Sequence, residues 1–360
     1  MRTAVRHVGK RGWQGGKSAE SQARADVNNV TAVNGVARAE NAQMLWAQSS
    51  SLCPDNQPPT DTIRCVSTPV SSTSPTTPRG SRAGMVITGW CLVAIWLAAT
   101  VTAALSSGSS ISPVAEAISG ASLLVFVLLH ALTLYKPAGA TAYFAIAVTV
   151  GFGLEACSIA TGFPFGYYVH HLEGPRALGV PFTVVAAWVI MAWLAWILAR
   201  VLVGECRSRL LYVIVTPVVA TLVVAGYDLV IDPIGAYARH LFSYRSPSGV
   251  LGVPLSNYTG WLITGWLLFQ TFALIERRWR REPTSTTRSA LLMPAVIWFG
   301  MGLQVNLGLL RAGDATTTIA GKPVALADIY QTCSEMTWFT MGLVVVLSVV
   351  RLAARDNRAA

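Results

Sequence analysis

A chain of 360 residues with 53% apolar and only 12% charged residues cannot cover a soluble surface with charge. Its mean hydropathy of +0.50 points to a multi-pass membrane protein and excludes a disordered chain, a disulfide scaffold and a collagen-like fibre. The net charge of +10 invites a nucleic-acid reading until its distribution is followed along the sequence.

Residues 1–84 hold ten Lys/Arg against five Asp/Glu, half of the excess charge. The run Ser67 to Ser81 is mostly Ser, Thr and Pro, and no apolar stretch reaches the length of a signal-peptide core. This reads as a disordered tail. Met85 opens the first apolar span directly, so a natural start near Met85 or Met44 is expected, leaving most of the tail untranslated. The alternative is a basic arm drawn to lipid headgroups.

Residues 85–355 read as one transmembrane helical domain. Eight apolar spans follow in order: 85–105, 117–135, 141–161, 182–203, 209–231, 255–275, 290–310 and 334–353. Each is long enough to cross a hydrocarbon core of about 30 Å as a helix. The last is the weakest, since 311–333 is long and polar, and seven spans is the alternative. The expected fold is an all-α, polytopic membrane helical bundle. With eight spans, one side collects fourteen Lys/Arg, including Arg200 and Arg277 to Arg281, and the other five. The positive-inside rule then puts both termini in the cytoplasm, in a cell-membrane protein. The basic excess is mostly topological, and no nucleic-acid partner is expected. The six cysteines (Cys53, Cys65, Cys91, Cys157, Cys206 and Cys333) show no CxxC spacing and read as small apolar residues.

Two stretches match at an offset of 73 residues. Gly153, Glu155 and Gly162 pair with Gly226, Asp228 and Gly235, and Leu178-Gly179-Val180-Pro181 recurs as Leu251-Gly252-Val253-Pro254. Trp188 and Trp193 pair with Trp261 and Trp266. Each copy reads as helix, loop, helix, with an acid near the end of the first helix. Both first helices run outward, which predicts a parallel repeat about an axis along the membrane normal.

In so sparsely charged a chain, an acid inside a span is a functional candidate, because burying it in lipid is expensive. Glu155 and Asp228 qualify; the alternative is a structural bond between helices, for instance to Tyr227 or Asn306. Asp232 has two readings. Followed by Pro233 it suits a helix N-cap, but if the helix continues it shares a face with Asp228 at i, i+4. The loop Thr161-Gly162-Phe163-Pro164-Phe165-Gly166-Tyr167-Tyr168 is either an interfacial aromatic belt or the lining of a pocket for a long apolar ligand. Asn257 either orients an acid or caps span six. His170 and His171 lack a third ligand at recognisable spacing, so no metal is expected. His130 reads as packed, Glu116 as an ordinary first-turn acid, and Asp328 and Glu335 as first-turn acids that could also join the cluster. No Walker loop, HExxH or GxSxG stands in a convincing context.

The chain from about 85 to 355 resembles the membrane carotenoid hydratases of the bisanhydrobacterioruberin hydratase and γ-carotene 1′,2′-hydratase type. Glu155 with the aromatic loop and Gly179-Val180-Pro181 is similar to their first motif. The second is matched by D-x-V-x-D-P at Asp228 to Pro233 and GVPxxNxxGW at Gly252 to Trp261. The resemblance implies a hydro-lyase of carotenoid biosynthesis that adds water to the 1,2 double bond of an acyclic carotenoid end. A proton goes to C-2 and water captures the tertiary cation at C-1. Asp228 is then the first choice for the acid, with Asp232 or Glu155 handling the water. Phe165, Tyr167, Tyr168, Trp188, Asn257 and Trp261 would bind substrate, the aromatic faces stabilising the cation. No cofactor is required. The partner would be a carotenoid or other polyisoprenoid reaching the site from the bilayer, with other carotenoid-pathway enzymes as further candidates. A carotenoid cyclase, a transporter and a non-catalytic carotenoid-complex subunit are the alternatives.

Overall fold

The computed structural model describes residues 79–106, 109–204, 208–283 and 287–354. Cys53, Cys65, Cys206 and nearly all of the expected tail lie outside the described residues. Among these residues, eight helical segments are long and apolar enough to cross a bilayer, so the chain is a multi-pass membrane protein. They are α1 (Arg79–Leu105), α2 (Ile111–Leu134), α3 (Pro137–Thr161), α4 (Phe182–Val203), α5 (Arg209–Pro233), α6 (Leu255–Ile275), α7 (Thr287–Leu309) and a composite eighth span. The last joins α8 (Leu326–Thr337) to α9 (Leu343–Ala354) through a π-helical turn at Trp338–Gly342. It begins eight residues before the expected 334, taking in part of the polar stretch. Helix α1 starts inside the expected tail, before Met85.

Local chemistry sets the helix ends. Pro137 opens α3, where its missing N–H costs nothing, and Gly162 closes it with φ 80°, a left-handed cap donating to the Ser158 carbonyl at 2.8 Å. Ser208 caps α5, its hydroxyl accepting from the Leu211 amide at 3.2 Å. Helix α4 is apolar all round, and every residue from Trp188 to Ala199 is buried, which makes it the centre of the bundle.

The main departure from expectation lies in α5. A break was expected at 231, with Asp232 a candidate helix start. Instead α5 runs through Pro233 and continues as a π-helical turn over Ile234–Ala238. Asp232 is therefore inside a helix and not an N-cap. Asp228 lies ten residues from Ala238, about 15 Å at the helical rise and deeper than the expected end implied.

Short hairpin pieces link the loops at one end of the bundle. The loop after α3 carries β1 (Tyr168–His170), β2 (Arg176–Ala177) and β3 (Val180–Pro181), and β2 pairs with β3. The loop after α5 carries β4 (Phe242–Tyr244), which pairs antiparallel with β1, placing Tyr168 opposite Tyr244 and His170 opposite Phe242. The loop after α7 folds as β5 (Thr316–Ile319) on β6 (Lys322–Ala325). The two Leu-Gly-Val-Pro segments share one backbone course. Leu178 and Leu251 have φ of 49° and 48°, the glycines after them 83° and 77°, and Pro181 and Pro254 each precede the first residue of a helix. Left-handed leucines are uncommon, so their recurrence at matched positions is a specific local likeness.

At the opposite end sits a buried polar network. Tyr135 donates to Glu276 Oε2 at 2.9 Å and receives from the Trp196 indole at 3.1 Å and Arg200 Nη1 at 2.9 Å. Arg280 meets Glu276 Oε1 at 2.5 Å and donates to the Tyr212 hydroxyl at 2.6 Å. Glu276 has no exposed surface, so its charge is held by these donors. His130 is packed as expected. The Trp193 indole donates to Nδ1 at 3.0 Å, so Nε2 carries the hydrogen that meets the Ala290 carbonyl at 2.8 Å.

Candidate active site

Two groups of acids converge on one cavity of about 340 Å³ between α3, α4, α5 and α6. Asp228 and Asp232 stand one turn apart on α5, because the helix survives Pro233, and both are buried. Asn257, on α6, donates from one amide nitrogen to both: to Asp228 Oδ2 at 3.3 Å and to Asp232 Oδ2. It does not cap its helix; Pro254 precedes α6, and the Asn257 side chain points to the acids. Tyr244, brought in by β4, donates to Asp232 Oδ2 at 3.0 Å. Asp228 Oδ1 is buried with no hydrogen-bond partner.

Glu155 is surrounded differently. Its Oε1 accepts the Trp188 indole N–H at 2.8 Å, and its Oε2 accepts the Tyr168 hydroxyl. His170 Nε2 lies 3.4 Å from the same Oε2. An indole can only donate, so Glu155 is arranged throughout as an acceptor. The acids do bond between helices, Glu155 to Trp188 and Asp228 to Asn257, but not to Tyr227 or Asn306, the partners named as examples: Tyr227 packs on the Trp298 ring, and Asn306 donates within its own helix, to the Gly302 carbonyl at 2.9 Å. Burial pushes the Tyr168 and Tyr244 phenols well above their usual value, and the neighbouring carboxyls push the same way, so both stay O–H donors.

Aromatic rings form the remaining wall. Trp188 and Trp261 stack with centroids 4.2 Å apart, and Phe165 packs edge-on to Trp261 at 6.4 Å. Gly260 makes room for Phe165, since a Cβ there would meet its ring and stand 2.9 Å from its Cα. Of the nine residues singled out from sequence, eight line the cavity: Glu155, Asp228, Asp232, Phe165, Tyr168, Trp188, Asn257 and Trp261. Tyr167 does not. It lies in the bend just before β1 and is 47% exposed, beneath the Arg245 guanidinium.

Sequence reasoning missed His170, Tyr244 and Tyr227, which also line the cavity. His170 was weighed only as a metal ligand, and the alternation Tyr168, Val169, His170 could have shown that the first and third share a face. Tyr244 had no local signal, because it arrives through pairing with Tyr168, 76 residues earlier in the chain. The other acids stay apart. Glu116 lies beyond the first turn of α2 and pairs with Arg239 at 3.1 Å, Asp328 opens α8, and Glu335 accepts from Gln331 at 3.3 Å.

Comparison with known proteins follows this geometry. Over 123 residues the chain is 34% identical to bisanhydrobacterioruberin hydratase of Haloarcula japonica, an alignment covering 33% of this chain and 40% of that protein. The chain thus spans well under half the length of that relative. No solved structure gives a significant match. Residues 114–322, more than half of the chain, including both acid groups and the loops that serve them, match the family described as carotenoid biosynthesis protein, and to that family this chain belongs.

Proposed function

We propose that the protein is a membrane hydro-lyase that adds water across the 1,2 double bond of an acyclic carotenoid end. One observation carries the reading: a single apolar cavity holds acids of opposite arrangement. Asp228 has a free buried oxygen that can present a proton, whereas all the partners of Glu155 donate to it. Hydration needs that division, an acid for C-2 and, across the cavity, a proton-accepting side for the water that attacks C-1. Asp232, holding Asn257 and Tyr244, keeps Asp228 in place from one turn away.

The cavity size suits an end group. Small-molecule sites span roughly 300–1,000 Å³, and this one lies at the low end, so the remainder of a long polyene would extend into the bilayer. As C-2 takes the proton, charge develops at C-1, where the stacked faces of Trp188 and Trp261 attract it by about 0.5–2 kcal/mol. The reaction balances without redox: one C=C and one water become one C–H and one tertiary C–OH. The relative's name, bisanhydrobacterioruberin hydratase, supports water addition as the chemistry. By the loop-charge bias both termini are cytoplasmic, which puts the loops that serve the acids toward the other face of the cell membrane.

The test is expression in cells that accumulate lycopene or a related acyclic carotenoid. Each modified end should gain the mass of one water. Unchanged mass with a new ring would assign a cyclase, and an unaltered pigment profile would reject both.

A further inference from the structure

The geometry points to His170 as the base that takes the proton from the attacking water. His170 is buried and lines the cavity, although its sequence spacing offered it only as a metal candidate. Its two ring nitrogens have different surroundings. Nε2 faces Glu155 Oε2, an oxygen whose group is arranged to accept, so Nε2 carries the hydrogen. That leaves Nδ1 with a bare lone pair, and Nδ1 is a buried atom with no hydrogen-bond partner. A buried, unpartnered acceptor is costly to keep, and water is a partner it can take. Tyr168 stands edge-on at 5.0 Å and Phe242 at 6.3 Å, which fixes the ring orientation from both sides.

This inference rests on the hydratase reading and names the atom that completes it. Asp228 gives its proton to C-2, and the π pair becomes the new C–H bond. Water then forms the C–O bond at C-1, and the resulting oxonium proton passes to His170 Nδ1, while Glu155 faces the imidazolium through Nε2. Between turnovers that proton returns to Asp228, so the net change is one water added. Without a base the oxonium reverts, the cation loses a carbon-bound proton, and the double bond re-forms.

The experiment runs the full-length protein in membranes or detergent with an acyclic carotenoid in D2O. It reads two quantities: hydrated product, and deuterium in recovered substrate. His170→Gln keeps a donor toward Glu155 but lacks the Nδ1 lone pair. Hydration should fall about 100-fold or more, the usual contribution of a general base. Deuterium exchange, which needs only protonation and its reversal, should continue at the wild-type rate. His170→Asn should behave alike and guards against a folding defect peculiar to one variant. Loss of both readouts in both variants would make His170 structural and overturn the assignment, as would hydration at the wild-type rate in either. Wild-type protein that exchanges deuterium but adds no water would remove the hydratase reading and this assignment together; hydrating wild type with an equally active H170Q removes the assignment alone.

Discussion

The indoles of Trp188 and Trp261 stack with centroids 4.2 Å apart and planes 27° from parallel, although 73 residues separate them in the chain. Trp188 also donates to Glu155, so one ring both holds an acid and supports the other ring. Replacing Trp261 by Leu should remove a cation-stabilising face while leaving the Glu155 bond intact. A loss of about 0.5–2 kcal/mol in the barrier corresponds to roughly 2- to 30-fold in rate. Replacing Trp188 by Leu removes the face and the bond together and should cost more. Product formation against time in membranes compares the two.

Asp228→Asn cannot deliver a proton and should lower hydration by about 100-fold or more. Asp232→Asn leaves Asp228 in place but disturbs its support, so a smaller loss is expected. Equal activity of D228N and wild type would reject Asp228 as the acid. Deuterium exchange into recovered substrate separates a lost protonation step from a lost water step.

The phenols of Tyr168 and Tyr244 are raised above the ordinary value of 10.0 by burial and by the adjacent carboxyls. A raised acid favours the protonated form in the folded state. This contribution to stability is complete below pH 10 and fades only as pH climbs through the higher folded value. In a difference titration between wild type and Tyr168→Phe, the phenolate band of Tyr168 should be missing at pH 10. A band that appears there would show a solvated phenol.

The network at the other end should affect stability rather than chemistry. Glu276→Gln leaves Arg280 its bond to Tyr212 but replaces its buried carboxylate partner by a neutral amide, a loss of about 1.5–3 kcal/mol. Thermal unfolding in detergent should shift downward, while turnover measured well below the transition stays near wild type.

Gly260→Ala should act through the cavity wall. The added methyl collides with Phe165, and overpacking of this kind costs about 1–3 kcal/mol. Weaker substrate binding with a smaller change in turnover is the expected outcome, read from the substrate dependence of hydration.

The membrane fold was readable because each span depends on a property summed over about 19 residues, which single substitutions barely disturb. The acids were readable for the complementary reason that a charge inside such a span stands out. Pro233 defeated the local rule: proline disfavours helix in the residue before it, yet α5 continues and places Asp232 beside Asp228. Tyr244 required the β1–β4 pairing, a contact between distant segments that no local pattern encodes, whereas His170 was open to the strand alternation beside Tyr168. Tyr167 and Tyr168 looked equivalent in sequence, and only the start of β1 at Tyr168 separated them: Tyr168 is buried in the strand and Tyr167 lies exposed in the bend before it.

Each acid finds its donors in the next stretch of chain to be made. Glu155 meets Tyr168 thirteen residues later, His170 fifteen and Trp188 thirty-three. Asp232 meets Tyr244 twelve residues later and Asn257 twenty-five, and Asp228 meets Asn257 after twenty-nine. During synthesis, then, each of the three cavity acids is followed by the segment that supplies its donors. Each half can settle its own polar groups before meeting the other, and the shared cavity closes only when the two finished hairpins dock.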